Sequence, residues 1–322
     1  MRRREMLAVC GAAALGCRTR KNVPFRQLKV ASHMTLSASS LHLADELGYF
    51  QQEGLRIEHV PANSSSEAMV AAAGGQLDVQ FTVLNTAFLN AVLRGAQIRI
   101  VAGREIARPS CMDMGAICAL RRRFPNGLED LAVLKGKRVA SGPSLGFLYF
   151  VLDEHLSRAG LSVKDVTTVA LGWPENYTAL LSGSIDAMVL SDPMPGYRGS
   201  EPLVFSRSFG ELRPNFQYSF IFFGKTMLEG DPEVGRRFLR AYYRGAREFV
   251  RGRSPAYMKK FAEHRKINVE ALKDVCRESF SLDGAVDRES LHAYSSWAFE
   301  RGLAPRLAQF HELTDLRFLE KA

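Results

Sequence analysis

Three short phrases of this chain occur twice, in the same order and at nearly the same interval. Lys29-Val30-Ala31-Ser32 returns as Arg138-Val139-Ala140-Ser141, Gly54-Leu55-Arg56-Ile57 as Gly160-Leu161-Ser162-Val163, and Gly75-Gln76-Leu77-Asp78 as Gly183-Ser184-Ile185-Asp186. The interval is far longer than a solenoid repeat, so the pattern predicts two similar strand-helix-strand-helix-strand lobes built in tandem. Two such lobes imply a cleft between them. The clearest copy runs from Tyr177 to Pro195, where an apolar helix stops at Gly183, a buried strand covers Ile185 to Leu190, and a loop broken by Pro193 follows. Met69 to Val83 carries the same order of features.

A chain of 322 residues with 46% hydrophobic content exceeds what one small core organises and suits two domains. The formal charge of +9 is spread along the sequence with no nucleic-acid motif beside it, which predicts a solvated basic surface and no nucleic-acid partner. Such a field would draw small anions toward a cleft. The five cysteines, at 10, 17, 111, 118 and 276, have no CxxC spacing and no His-x-x-x-His partner, so no metal site is expected, and no cofactor is called for. A core of this size does not need a disulfide framework.

Met1 to Cys17 has a basic start, a short apolar run and small residues before the cysteine, the layout of an export signal. The run is too short to span a bilayer. Arg3-Arg4 resembles a loose twin-arginine signal and Leu15-Gly16-Cys17 an imperfect lipobox, making Cys17 a candidate lipidation site. Residues 1–23 are thus expected to be leader and tether, with an extracytoplasmic location and membrane attachment only through a lipid.

From Leu28 onward, strands and helices alternate in the manner of α/β lobes, each a parallel sheet with helices on its faces. Ser64 and Glu67 have capping-box spacing ahead of a helix, and Asp231-Pro232 opens a long amphipathic helix through Val250. The crossing to the second lobe is placed after a strand at Ala116 to Leu120, and the return at Tyr218 to Phe223. Lobe 1 is therefore expected over 24–121 and 218–322, and lobe 2 over 122–217, with the C-terminal helices packed against lobe 1. Two short crossings make a hinge.

With this order established, the chain resembles the solute-binding proteins of ABC importers, in the nitrate, sulfonate, taurine and thiamine-precursor group. The matching phrases are Ala44-Asp45-Glu46-Leu47-Gly48-Tyr49-Phe50 with Glu53-Gly54-Leu55, Gly75-Gln76-Leu77-Asp78-Val79, Gly95-Ala96-Gln97-Ile98, Leu134-Lys135-Gly136-Lys137-Arg138-Val139, Asp186-Ala187 and Pro193. They cover about Leu28 to Pro195. The resemblance implies a periplasmic-binding fold of type II, two Rossmann-like lobes that close on one small molecule and dock on permease transmembrane subunits, as a monomer and without chemistry. Pure scaffold phrases such as these do not name the ligand.

Loops after the C-terminal strand ends should line the cleft. In lobe 1 these offer His33 and Thr35, then Ser64 and Ser65, then Thr82 and Asn85; in lobe 2, Ser144 and Phe147, Trp173 and Asn176, and Asp192. His33 could donate to an oxygen or simply order a loop, the serines could meet an anion or cap a helix, and Trp173 could stack on a planar ligand or be buried. Asp192 could read an amine or merely shape a turn. The set favours a planar, partly polar ligand over bare nitrate and contains no Lys or Arg clamp, while the resemblance implies a sulfonate, taurine, nitrate, a pyrimidine or an aromatic acid. Two rivals remain. A thiamine-pyrimidine-synthase-like enzyme would, by resemblance, carry a cysteine-rich iron-binding stretch that Cys111-Met112-Asp113-Met114-Gly115-Ala116-Ile117-Cys118 does not match. A ligand-sensing module would need a DNA-binding domain or a membrane helix, and neither is read in the sequence.

Overall fold

The structure, a computed structural model, describes residues 25–319 except 63–64, 112–113, 143–144, 173–174, 191–201, 266 and 274. The leader with Cys17, and the expected site residues Ser64, Ser144, Trp173 and Asp192, lie outside them.

Among the described residues ten strands follow in chain order: β1 Arg26–Ser32, β2 Leu55–Pro61, β3 Val79–Val83, β4 Arg99–Ile106, β5 Ile117–Leu120, β6 Arg138–Ala140, β7 Thr167–Val169, β8 Ala187–Val189, β9 Leu203–Phe205 and β10 Gln217–Phe223. They form two sheets, β2-β1-β3-β10-β4 and β7-β6-β8-β5-β9. The two orders correspond position by position. In the first, β1 runs parallel to β2 and β3 while β10 is antiparallel to β3 and β4. In the second, β6 runs parallel to β7 and β8 while β5 is antiparallel to β8 and β9. The sheets are thus mixed rather than parallel. Each takes its reversed strand from chain beside a crossing, and a local strand pattern carries no sign of direction.

This placement moves the first crossing. Ile117–Leu120, assigned to lobe 1 from the sequence, is hydrogen bonded into the second sheet, so the chain leaves lobe 1 between Ile106 and Ile117 rather than after Leu120. It returns between Phe205 and Gln217. The two crossings pair with each other: Ala107 N donates to Phe216 O at 2.8 Å, and Asn215 N to Ala107 O at 2.9 Å. Asn215 has φ 65°, a left-handed conformation that asparagine tolerates better than most residues.

The repeated aspartate does the same job twice. Asp78 accepts from Lys29 N at 2.7 Å while its own N–H donates to Lys29 O at 2.9 Å, tying β1 to the start of β3. Asp186 accepts from Arg138 N at 2.9 Å and donates through its N–H to Arg138 O at 2.8 Å, tying β6 to β8. The preceding glycines, Gly75 and Gly183, have φ 80° and 77°, where any other residue would be strained.

The Pro232–Val250 helix begins as expected, with Asp231 accepting from Glu233 N at 2.9 Å and Pro232 in the first turn. It buries Phe238, Tyr242 and Phe249. Gly245 lets it approach the Ser39–Glu46 helix closely, since a Cβ there would lie 2.4 Å from that of Ala44. The C-terminal helices divide. Tyr257–Arg265 packs with Leu36 and Leu43 of lobe 1. Arg288–Glu300 also reaches lobe 2, because Trp297 Nε1 and Arg301 Nε donate to Asp153 Oδ2 at 2.8 and 2.7 Å. Asp153 lies on the Phe147–Arg158 helix. One apolar cluster, including Phe147, Phe150, Phe209, Tyr218, Tyr294 and Trp297, therefore runs across the junction of the lobes. Among the described residues, no helix is long and apolar enough to cross a membrane.

Candidate ligand cleft

A cavity of about 990 Å³ lies where both sheets' loops meet, at the upper end of the range for small-molecule sites. Lobe 1 supplies the loop after β1. There Tyr257 Oη donates to the backbone oxygens of His33 and Thr35 at 3.2 and 2.8 Å, holding both residues at the cavity wall. Tyr257 is itself stacked on His42, with 4.0 Å between ring centroids, and His42 on His59 at 4.5 Å. Burial lowers the pKa of His33, and the charge of Arg104 adds to this against the opposing hydrogen bond at Ala62. Its imidazole is therefore neutral near pH 7, and its Nε2 is buried without a partner.

Ser65 opens the Ser65–Ala73 helix, and its hydroxyl accepts from Thr82 Oγ1 at 2.8 Å; both line the cavity. Asn85 also lines it, yet its side chain is engaged internally. Oδ1 accepts from Phe88 N at 2.8 Å as the cap of the Thr86–Leu93 helix, and Nδ2 donates to Val83 O at 3.0 Å. Asn85 thus shapes the wall, and its bridge to Gly146 brings the lobes together. From lobe 2, Phe147 lines the cavity as the first residue of its helix and stacks on Tyr218 with centroids 5.3 Å apart. Gly146 at the cap gives that helix no side-chain cap, so its first N–H groups keep donors for other partners. Asn176 departs from expectation. It is buried at 4% exposure and is not among the lining residues, whereas its neighbour Glu175 is. One step along a helix turns a side chain through about 100°, enough to carry it behind the wall.

The charged floor of the cavity escaped the sequence reading. Arg104 and Glu105 both line it, at 3% and 6% exposure. Adjacent strand residues ordinarily face opposite ways. Here the β4–β10 register shifts: Phe220 lies opposite Gly103 and Ser219 opposite Glu105, leaving Arg104 as the extra residue of a bulge. Arg104 donates to Ser37 O and, at 3.3 Å, to Ser219 Oγ, and it stacks over Phe81 with its guanidinium carbon 5.2 Å from the ring centre. Burial opposes its charge, but Glu105 and the tyrosines Tyr242 and Tyr218 outweigh that and leave its pKa raised. The residues chosen from the sequence include no arginine, and the cavity adds one. A signal existed, since Arg104-Glu105 interrupts the otherwise apolar run Ile100-Val101-Ala102-Gly103.

The disulfide Cys111–Cys276, with Cα atoms 5.4 Å apart, also forms part of the wall and ties the first crossing to lobe 1. Ser110 Oγ reinforces it by donating to Glu278 Oε2 at 2.8 Å. Cys118 is buried on β5, with its thiol pKa pushed up by burial. Among the described residues no cluster of three metal-ligating side chains occurs.

Known proteins sharpen this picture. The alkanesulfonate-binding protein SsuA from Xanthomonas axonopodis pv. citri, bound to MOPS, superposes with a TM-score of 0.70 at 17% identity, covering 91% of this chain and 99% of its own. That likeness establishes the periplasmic-binding-protein fold. A Haemophilus influenzae protein named for thiamine biosynthesis is 28% identical over 47% of this chain, and the 4-amino-5-hydroxymethyl-2-methylpyrimidine phosphate synthase of Aspergillus parasiticus is 27% identical over 48%. The chain spans less than half the length of these two relatives, 45% and 42% respectively. Residues 37–252, well over half the sequence, match the NMT1/THI5-like family, and the chain belongs to it.

Proposed function

We propose that this protein is the extracytoplasmic solute-binding component of an ABC importer, which captures a small organic or anionic solute between its lobes and delivers it to a membrane permease. The observation that carries this reading is the cavity itself, lined from both lobes and flanked by two crossings that pair as a hinge. A solute touching both lobes is fully contacted only when they close, so binding shifts the open and closed populations. No bond needs to change. The Cys111–Cys276 disulfide supports an oxidising compartment, in line with an exported monomer that meets the membrane through its permease or a lipid on Cys17.

Thermal-shift screening of protein lacking residues 1–16 against sulfonates, nitrate, pyrimidines and aromatic acids tests the reading. Stabilisation by a small molecule, with dissociation constants on the order of micromolar or tighter, is expected. A protein indifferent to every compound would remove the transport role. The second reading, a pyrimidine-synthase-like enzyme, draws on the Aspergillus relative. The engagement of Cys111 with Cys276 and the burial of Cys118 weigh against an iron-binding cysteine stretch, and measured turnover would reverse that preference.

A further inference from the structure

The Arg104–Glu105 pair is incompletely satisfied in a way that specifies what should lie against it. The Glu105 carboxylate is 3.7 Å from Arg104 Nη1, too far for a hydrogen bond, and accepts none from the described residues. A carboxylate offers about four acceptor positions, and this one leaves them open toward the cavity. Arg104 is better held, yet its buried Nε has no partner. Backbone bonds hold the strand on either side of Glu105, with Ser281 N donating to Arg104 O and Ile106 N to Ser279 O, each at 2.7 Å, so the main chain presents both residues at the cavity floor.

A bare inorganic anion that approached Arg104 would also meet the negative Glu105. A solute carrying an N–H donor beside its acid group meets both. The surrounding wall is aromatic, with Phe81, Phe147, Tyr218, Phe249 and Phe280 all lining the cavity and all buried, and the volume of about 990 Å³ far exceeds what an oxyanion fills. We propose that the solute is an amphoteric organic acid with an apolar or aromatic body, its acid group read by Arg104, its N–H by Glu105 and its body by the phenylalanine wall. The proposal rests on the cleft being a solute site, and it makes the bulge at Arg104 the specificity-determining feature of lobe 1.

Matched pairs of probes test it by calorimetry on the wild-type protein: phenylalanine against 3-phenylpropionate, 4-aminobenzenesulfonate against benzenesulfonate, taurine against ethanesulfonate, with nitrate and sulfate alongside. The amine-bearing member of at least one pair should bind about tenfold tighter or more, since a site built around a buried polar group rejects the analogue that leaves it unpaired. Glu105→Gln should collapse that ratio while retaining the amine-free acid. Arg104→Gln should weaken both members by about tenfold or more. Because the ratio is read first on unmodified protein, a variant that fails to fold leaves the test intact. Equal affinity within every pair, or inorganic anions binding best, overturns the proposal while leaving solute binding standing. No binding by any probe also overturns the proposal, and the transport reading is then decided by the broader thermal-shift screen.

Discussion

In lobe 1 the polar wall of the cleft is made by side chains, notably Arg104, Glu105, His33 and Arg265. Lobe 2 lines it chiefly with Ser141, glycines 142, 146 and 172, and the starts of two helices at Phe147 and Glu175. The lobes share one strand topology, so the difference lies in what each hangs on it. On the proposed solute-binding reading, the charges of lobe 1 select the ligand and the backbone and helix starts of lobe 2 close over it. The shared topology provides the frame, and the same reading places specificity in the departures from the copy.

The comparison can be broken most sharply at the junction. Phe147→Ala removes a fully buried ring of lobe 2 that packs on Tyr218 of lobe 1, and should cost about 3–5 kcal/mol in urea unfolding. Phe238→Ala, in the lobe 1 core behind the sheet, should cost a similar amount yet leave solute affinity of the folded protein unchanged. If Phe147→Ala also left affinity unchanged, lobe 2 would not contribute to the cleft as described.

Next in size is the disulfide, which ties the first crossing to lobe 1 across a separation of 165 residues. Replacing both cysteines by serine should lower stability by roughly 2–5 kcal/mol. An unchanged melting temperature after the double replacement would show that the crossing needs no staple.

Each lobe also holds a histidine kept neutral by burial. His42 in lobe 1 and His155 in lobe 2 both have their pKa lowered to about 4. His155 Nε2 donates to Gly115 O at 2.7 Å, and burial outweighs that bond. The unfolded chain binds the proton near pH 6.5 and the native protein only near 4, so stability is full above about 6.5 and falls as the pH drops toward 4. Melting curves between pH 7.5 and 4.5 should show this slope, with each site worth on the order of 2 kcal/mol at the acid end. His155→Gln and His42→Gln should each flatten it. Flattening by one alone would show that the lobes differ in acid sensitivity.

The smallest effect concerns the twin aspartates. Asp78→Ala and Asp186→Ala should each cost about 1–3 kcal/mol, because each strips an acceptor from a strand N–H. Asp186 should be the costlier, since it also holds the side chains of Arg138 and Arg123. A reversed order in denaturant titrations would show that the bond Asp78 accepts from the Thr226 hydroxyl outweighs the two arginine contacts of Asp186.

Much of the frame was legible because it is written locally. The Gly-x-aliphatic-Asp phrase marks a turn and a strand start wherever it occurs, and the stripe from Phe238 to Phe249 repeats at helical spacing within one element. The order of elements brings the loops after β1, β2 and β3 to one end of the first sheet, where His33, Thr35, Ser65, Thr82 and Asn85 line the cavity. What escaped were features made by pairing. β5 looks like any apolar strand, and only its hydrogen bonds to β8 and β9 put it in lobe 2. Asn176 could not be separated from Glu175 without the helix's rotation.

The sequence by itself determined that there are two related lobes, that strands and helices alternate through them, and that a cleft lies at their strand ends, since periodicity and turn residues act over a few positions. Tertiary structure alone decided which strand runs against its neighbours, that Cys111 meets Cys276, that Trp297 clasps Asp153 across the lobes, and that Arg104 and Glu105 face the same cavity. The last of these is the clearest case. Alternation along β4 would place the two on opposite faces, and they share one because β10 sets a register that forces Arg104 into a bulge, a relation between segments more than 100 residues apart.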